Sequence, residues 1–326
     1  MLHLRLAIPA ELTEDVLLVL TNEPTVSSLS VVRGAGLEPP GDLVYADVAR
    51  ETANALIDQL RSLDVPHRGT MHIEQVPTWL SKAALDAEDA APGSSADAVV
   101  WPEVGQRAYG DSELNGTYLV FMVLATMIAA IGIALDSQIL LIGAMVLGPE
   151  FGPVAAIALA LVLRRRTLFG YALRTLLLGF AIAIALTTVM ALVARAAGWV
   201  QAAAVLAPRP GTDFIYHPDG WSLAVAVLAA VAGVVSLTSG RMGGMAGVFI
   251  SVTTVPAAAN VALGLAFWLP EELIGSTAQL LINLSAMLLA GWLTLLVRQG
   301  AAGRLPGNPF QHDLVRRRRS DQLRKA

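Results

Sequence analysis

Hydrophobic residues dominate the chain from Thr117 onward, where apolar runs alternate with short polar segments. An apolar run of roughly 20 residues is what a helix needs to cross a hydrocarbon core of about 30 Å. The pattern therefore predicts an all-α polytopic membrane domain over residues 117–298, followed by a basic cytoplasmic tail over 299–326. The six predicted spans are 117–135, 139–163, 167–194, 222–239, 242–269 and 276–297.

Residues 1–77 follow a different pattern. "LHLRLAI" alternates like a strand, and "PAELTEDVLLVL" opens with a proline before a helical apolar repeat. Two β-rich segments come next, then the helical "ETANALIDQLRSL" and the alternating "GTMHIEQV". This order predicts a soluble α+β domain with the ferredoxin-like βαββαβ plan, although the same elements also fit other arrangements.

Residues 78–116 are predicted to form a linker and an interfacial segment. "AEDAAPGSSADA" is small, acidic and turn-forming, which is typical of a mobile linker. Trp101 and Tyr109 then lie among charged residues, as in a segment at the bilayer surface. Packing of this segment against the soluble domain is the alternative.

Composition narrows the function classes. The chain is 55% hydrophobic and 15% charged, which indicates a protein embedded in the lipid bilayer. It has no cysteine, so disulfides, thiolate metal sites and cysteine nucleophiles are excluded. The histidines are scattered and no clustered acid–base set is visible, so we expect no enzyme, no metal and no cofactor. The sequence contains no basic–aromatic pattern of the kind that binds nucleic acids, so we expect no nucleic-acid partner.

Basic residues predict the orientation. With a cytoplasmic N-terminus, the outside loops hold only Arg195 and Arg209, which is a strong positive-inside bias. Both termini are then cytoplasmic. The twelve basic residues on the inside are Arg164, Arg165, Arg166, Arg241, Arg298, Arg304, Arg316, Arg317, Arg318, Arg319, Arg324 and Lys325. The two clusters, 164–166 and 316–319, are also suited to contact with anionic lipid headgroups.

The second and fifth predicted spans share an internal pattern. In each, a glycine is followed nine or ten residues later by a proline and then by an alanine-rich half. Three spans on either side would make the halves 3+3 inverted repeats with broken helices 2 and 5, an arrangement that places transport sites at the bilayer midplane. The predicted pathway residues are Gly148, Pro149, Glu150, Gly152, Pro153, Thr253, Thr254, Pro256 and Asn260.

Glu150 is the most specific of these residues, because an ionised side chain at the membrane centre costs at least about 3 kcal/mol. A cation or proton pathway is one interpretation. A second interpretation is a re-entrant bend that lifts the acid into water or lets it cap the N-terminus of a half-helix. A third is a buried pair with an arginine such as Arg174 or Arg241. For Asn260 and Asn283, hydrogen bonding between helices competes with ligand binding.

The segments "GDLVYADVARETANALIDQL", "AVVWPEV", "LIGAMVLGPEFGPVAAIALAL" and "AGVFISVTTVPAAANVALGLA" are similar to a known family. The chain resembles the bacterial membrane family catalogued as domain of unknown function 389, also called the uncharacterized hydrophobic domain family. The resemblance implies a small N-terminal domain and a multi-span hydrophobic domain, and it implies no activity. Where many relatives have Ser-Pro-Leu-Met-Gly-Pro, this chain has "GPEFGP", so Glu150 belongs to a subgroup.

Two classes of function remain at this stage. One is a small-solute or ion transporter or channel, cation-selective or proton-coupled, with its pathway between the second and fifth helices. The other is a non-transporting membrane scaffold or sensor whose N-terminal domain binds a ligand or partner. In either case we expect a homo-oligomer in the bacterial plasma (inner) membrane, in contact with the lipid bilayer.

Overall fold

The structure is a computed structural model that describes residues 1–95, 98–200, 209–212, 215, 220–239 and 254–302. Its internal contacts define an N-terminal unit, Met1–Val104, and a helical unit, Gly105–Gln299. The predicted basic tail beyond residue 302 lies outside the described residues, as do Thr253 and the first half of the fifth predicted span.

The N-terminal unit is built on one antiparallel sheet with the strand order β2-β3-β1-β4. Helix α1 connects β1 to β2, and helices α2 and α3 connect β3 to β4. Apart from the short α3, this is the predicted order of elements. The bounds are β1 Leu2–Ile8, α1 Ala10–Thr21, β2 Val26–Leu37, β3 Pro40–Val48, α2 Ala53–Ser62, α3 Val65–Arg68 and β4 Thr70–Gln75.

Alternation along β1 produces the core of this unit. Every second residue of the strand is buried, and these side chains pack with apolar residues of α1 and α2 on one face of the sheet. The other face carries polar side chains, among them His3, whose Nδ1 lies 2.6 Å from Oδ1 of Asp47. The His3 ring also stacks on Tyr45, with ring centroids 5.9 Å apart.

The segment predicted as linker and interfacial region contains two helices, α4 (Lys82–Ala90) and α5 (Trp101–Asp111). The segment that leads into α5 is held by the side chain of Asn54 through hydrogen bonds to its backbone. The Asn54 side chain donates to the Val99 carbonyl at 2.6 Å and accepts from the Trp101 amide at 3.0 Å. Val100 is fully buried in the core. Residues 98–104 therefore pack within the N-terminal unit, which is one of the two alternatives left by the sequence.

The helical unit continues with seven helices among the described residues. Four of them, α6, α9, α10 and α12, are long and apolar enough to cross a membrane. The helices are α6 Gly116–Ala134, α7 Gln138–Leu147, α8 Phe151–Val162, α9 Arg166–Ala196, α10 Gly220–Thr238, α11 Thr254–Phe267 and α12 Pro270–Ala302.

The second predicted span is a bent pair. Helices α7 and α8 are separated by three residues and meet at 51°, and together they make a fifth candidate span. The fifth predicted span is described only from Thr254, as the 14-residue α11. The described part of the chain therefore supports four spans, or five with the bent pair, and the remaining predicted span lies partly outside the described residues.

Small residues place α8 and α11 at the centre of the helical unit. Residues 153–160 of α8 are all buried, and so is every residue of α11 except Leu265. By contrast, α6 and α9 expose large apolar side chains such as Phe121 and Leu177, as helices in contact with lipid do. Trp199 and Trp268, just beyond the ends of α9 and α11, are also exposed, which is typical of side chains at a membrane interface.

Candidate functional site

The break between α7 and α8 falls at Gly148, Pro149 and Glu150. A residue before proline is pushed out of the helical region, and Gly148 accordingly has ψ 121°, which ends α7. Pro153 is the third residue of α8, in a first turn where its missing N–H breaks no helical bond. A new helix therefore begins at Phe151, and Pro153 breaks no hydrogen bond within it.

Glu150 occupies the N-cap position of α8 and has no exposed surface. Its side chain does not cap its own helix. Instead, its Oε1 accepts a hydrogen bond from the hydroxyl of Thr254 at 2.7 Å, and Thr254 is also fully buried. The positive end of the α8 dipole lies at Glu150, where it favours a negative charge. The structure thus brings together one acid from the first break and one hydroxyl from the start of α11.

Tyr118 of α6 is a neighbour of Glu150 that sequence reasoning missed. It lies within the range of a charge interaction with the Glu150 carboxyl, and its own hydroxyl is buried without a hydrogen-bond partner among the described residues. A Cβ on Gly179 of α9 would lie 2.8 Å from that hydroxyl, so the glycine makes room for the ring. Tyr118 stands near the start of α6, whereas Gly179 is near the middle of α9.

Gly152 brings the end of α5 onto α8. A Cβ at this position would lie 2.9 Å from the Cβ of Asp111, so a larger residue would displace α5. Burial raises the pKa of the Asp111 carboxyl, and the nearby Arg107 opposes that rise. The Thr175 hydroxyl of α9 donates to the Ser112 carbonyl at 2.6 Å, which fixes the same connection. Among the predicted pathway residues, Gly152 thus has a packing role.

Asn260 and Pro256 lie on α11, both fully enclosed. The Asn260 amide donates to the hydroxyl of Ser276 on α12 at 2.8 Å, which is the interhelical hydrogen bond that the sequence offered as an alternative to ligand binding. Arg174, considered as a partner of Glu150, is exposed on α9, and Arg241 lies outside the described residues. Ser285 is exposed on α12.

A stripe of polar residues runs along α12 in the same region. Ser276, Gln279 and Asn283 follow a spacing of three and four, which places them on one face of the helix, and all three have no exposed surface. Neither polar atom of the Gln279 amide, nor of the Asn283 amide, has a hydrogen-bond partner among the described residues. We call these three residues the α12 stripe. Sequence reasoning noticed only Asn283, although the repeated spacing of polar residues on an apolar span was visible.

At the start of α12, just before the stripe, a buried ion pair connects Arg209 and Glu272. The Arg209 Nη2 lies 2.6 Å from the Glu272 Oε1, and the two side chains are 4% and 14% exposed. Two residues that follow Arg209 in the chain are also fixed. The Gly211 amide and the Thr212 hydroxyl donate hydrogen bonds to the Asp136 carboxylate, at 3.2 and 3.0 Å. These contacts hold residues 209–212 against the α6–α7 turn.

The helical unit also contains a cavity of about 380 Å³ between α6, α9 and α11. Its walls are apolar, with Ala130, Met190, Leu263 and Phe267 among them, and none of the predicted pathway residues lines it. Within the described ranges, no group of three acidic or histidine side chains could hold a metal ion. Arg164, Arg165 and Arg166 are exposed in the α8–α9 turn.

Taken together, the apolar helices are consistent with a membrane protein, and a small antiparallel sheet domain precedes them in the chain. Residues 145–289 match the model of the family described as Domain of unknown function (DUF389), which confirms the resemblance over this segment. It includes Glu150, Thr254 and the α12 stripe. Comparisons with curated proteins and with solved structures gave no match.

Proposed function

We propose that this protein is a transporter or channel for a small solute or ion, either cation-selective or proton-coupled. The single observation that supports it most is the buried hydrogen bond between Glu150, at the break of α7 and α8, and Thr254, at the start of α11. Broken helices that contribute polar groups to one shared site are the usual way in which secondary transporters bind their substrates.

The chemistry of the site favours a proton or a cation. A carboxyl group enclosed in an apolar helical unit is costly to ionise, so a bound positive charge or a proton lowers the free energy of the filled site. The dipole of α8 works in the other direction, since it partly stabilises the ionised form. This balance is suited to a group that gains and loses a proton or a cation during a cycle.

The inverted repeat remains part of the proposal. Helices α6 to α9 contain three spans if the bent pair counts as one, and α10 to α12 lie in the second predicted half. The central helices α8 and α11 support the scheme, because each is short, rich in alanine and buried on nearly all sides. On this scheme both termini are cytoplasmic, the membrane is the bacterial inner membrane, and Arg164, Arg165 and Arg166 contact anionic lipids. We also propose a homo-oligomer without enzymatic activity.

The depth of the site in the bilayer is also part of the proposal. Glu150 lies near Tyr118, the third residue of α6, and Tyr118 packs against Gly179, which is the 14th of the 31 residues of α9. The position of Gly179 in the middle of α9 agrees with a site at the bilayer midplane. The position of Tyr118 at the start of α6 would instead place the site nearer to the proposed cytoplasmic side.

A scaffold or sensor is the second candidate. The observation that favours it is the sheet face opposite α1 and α2, where His3, Tyr45 and Asp47 form a polar cluster that is partly open to solvent. Such a face could bind a ligand or a partner. In that case the membrane helices would not move any solute.

Reconstitution into liposomes separates the two candidates. We expect wild-type protein to move protons, or a cation such as Na⁺ or K⁺, in response to an imposed gradient, as read by an enclosed pH-sensitive or ion-sensitive dye. Glu150→Gln should abolish or uncouple this flux. The control is Glu271→Gln, the same change at an exposed acid at the start of α12, which should leave the flux unchanged. Equal flux in wild type and Glu150→Gln at every pH, or no flux in wild type, would favour the scaffold.

A further inference from the structure

Two of the three residues of the α12 stripe, Gln279 and Asn283, carry polar groups that the enclosed helices do not satisfy. The amides of Gln279 and Asn283 together present two donor nitrogens and two acceptor oxygens, and the Asn260 carbonyl oxygen adds another buried acceptor without a partner among the described residues. Nearly all buried polar groups in native proteins bind a protein partner or an ordered water. A buried water needs two to four such partners, and this row of amides supplies them.

Contacts between α11 and α12 establish how deep the stripe reaches. The two helices form an antiparallel hairpin, in which Asn260 bonds to Ser276 and Gly264 lies against Leu273. Six residues before Asn260 on α11 is Thr254, and seven residues after Ser276 on α12 is Asn283. Since both helices rise about 1.5 Å per residue, Thr254 and Asn283 lie at nearly the same level.

A separate contact gives the same level. Gly291 of α12 lies against Ala158 of α8, with 3.5 Å between the Ala158 Cβ and a Cβ built on the glycine. Glu150 precedes Ala158 by eight residues, and Asn283 precedes Gly291 by eight residues. If α8 and α12 run in the same direction, as the predicted topology requires, this contact also places Asn283 level with Glu150.

We infer that the α12 stripe lines a narrow water-filled passage, which leads from the end of the membrane domain at the α11–α12 turn down to the level of Glu150. Its occupant is a file of water molecules held by the amides. The stripe carries no charge, so it solvates small species without trapping them. The passage would give Glu150 access to one side of the membrane, the outer side in the proposed topology.

The absence of cysteine from the natural sequence makes this inference directly testable. Single cysteines are introduced at Ser276, Gln279 and Asn283 of the full-length protein in right-side-out vesicles. Ag⁺ is added outside, the reaction is quenched, and the protein is denatured and alkylated with a maleimide. Only a thiol that ionises in water reacts readily, so protection from the maleimide reports a hydrated position. We expect protection at all three positions.

Ser285→Cys is the matched control, because it makes the same chemical change as Ser276→Cys on the exposed side of the same helix. In lipid the thiol of Ser285→Cys stays neutral and does not react with Ag⁺, so the maleimide should alkylate it after denaturation. Thr254→Cys, a small change at the level of Asn283, is a second probe of the deep end if the amide variants fold poorly. Protection of Thr254→Cys or Asn283→Cys with Ser285→Cys unprotected supports the passage.

Protection at Ser276→Cys alone, at none of the stripe positions, or equally at Ser285→Cys would overturn the inference. The inferred passage rests on the proposed transport function, but the measurement of cysteine accessibility does not depend on flux. Hydrated cysteines without any flux would leave the passage intact and remove the transport proposal. Flux that depends on Glu150, together with stripe cysteines that do not react with Ag⁺, would support the transport proposal and overturn the passage.

Discussion

Thr254 donates a hydrogen bond to Glu150 at 2.7 Å although 104 residues separate them in the chain. Both residues stand where a helix begins, as the structure describes it, and both are fully enclosed. This contact connects the two parts of the chain that the sequence treats as separate repeats. It therefore joins α8 to α11 through one buried acid and one buried hydroxyl.

The Thr254 hydroxyl should stabilise the fold measurably. Thr254→Val removes one donor from a buried acid, so we expect a loss of about 1–3 kcal/mol of stability. Thr254→Ser keeps the hydroxyl and should lose much less. Thermal unfolding of the purified variants in one detergent provides the comparison, and equal midpoints for valine and serine would show that the hydroxyl contributes nothing.

The ion pair between Arg209 and Glu272 should be sensitive to the loss of either partner. Because both side chains are nearly enclosed, Arg209→Met or Glu272→Gln leaves the other group without its charge partner, at a cost of about 3–5 kcal/mol. The double variant should recover much of that loss. A double-mutant cycle on unfolding midpoints tests this, and strictly additive losses would mean that the pair does not interact.

The proposed topology predicts which loops face outward. Glu271→Cys, exposed at the start of α12, should react with an impermeant maleimide added to intact cells. Arg165→Cys, exposed in the α8–α9 turn, should react only after the cells are opened. Labelling in the opposite sense would reverse the orientation and place the N-terminal unit outside.

The N-terminal unit should fold as a fragment, provided that it extends to Val104. Residues 98–104 contribute the buried Val100 and the Arg50–Glu103 ion pair, with 3.4 Å between Nη2 and Oε2. We expect residues 1–104 to give dispersed amide signals in NMR, and a fragment of residues 1–95 to be less stable in urea. Equal urea midpoints would show that residues 98–104 add nothing to the core.

Asp42 gives that fragment a defined dependence on pH. The Gly34 amide and the Thr13 hydroxyl donate to its carboxyl at 2.7 and 2.8 Å, and they lower its pKa in the folded state. Since the folded pKa lies below the unfolded value of about 3.9, this stabilisation is present above pH 4 and is lost as the pH falls through the folded pKa. Asp42→Asn should be less stable than wild type at pH 7, and the difference should shrink in acid. A constant difference would exclude this linkage.

The fold of the N-terminal unit could be predicted because the sequence patterns that indicate it are local. Alternation along β1 shows which residues face the helices, and Pro9 marks the start of α1. Attachment of residues 98–104 could not be predicted in the same way. It depends on Asn54, which donates a hydrogen bond to a residue 45 positions away and accepts one from a residue 47 positions away. Contacts of that kind leave no periodic trace in the sequence.

The membrane site shows the same division. Proline and glycine marked the break at Glu150, since their backbone effects act within one turn. Tyr118 carried no such mark, because its role comes from the packing of α6 against Gly179 of α9. Gln279 was overlooked for a different reason: a single amide in an apolar span is usually a contact between helices, and only its burial beside Asn283 indicates otherwise.

Helices α9 and α12 contain 31 and 33 residues, which corresponds to about 46 and 50 Å at the usual rise. A hydrocarbon core of about 30 Å is much thinner, so each helix must tilt or extend into the headgroups. Helix α6, with 19 residues, matches that thickness almost without tilt. A thicker or thinner bilayer would act unequally on these neighbours, so the thickness of the surrounding lipid becomes a mechanical variable that shifts α6 relative to α9.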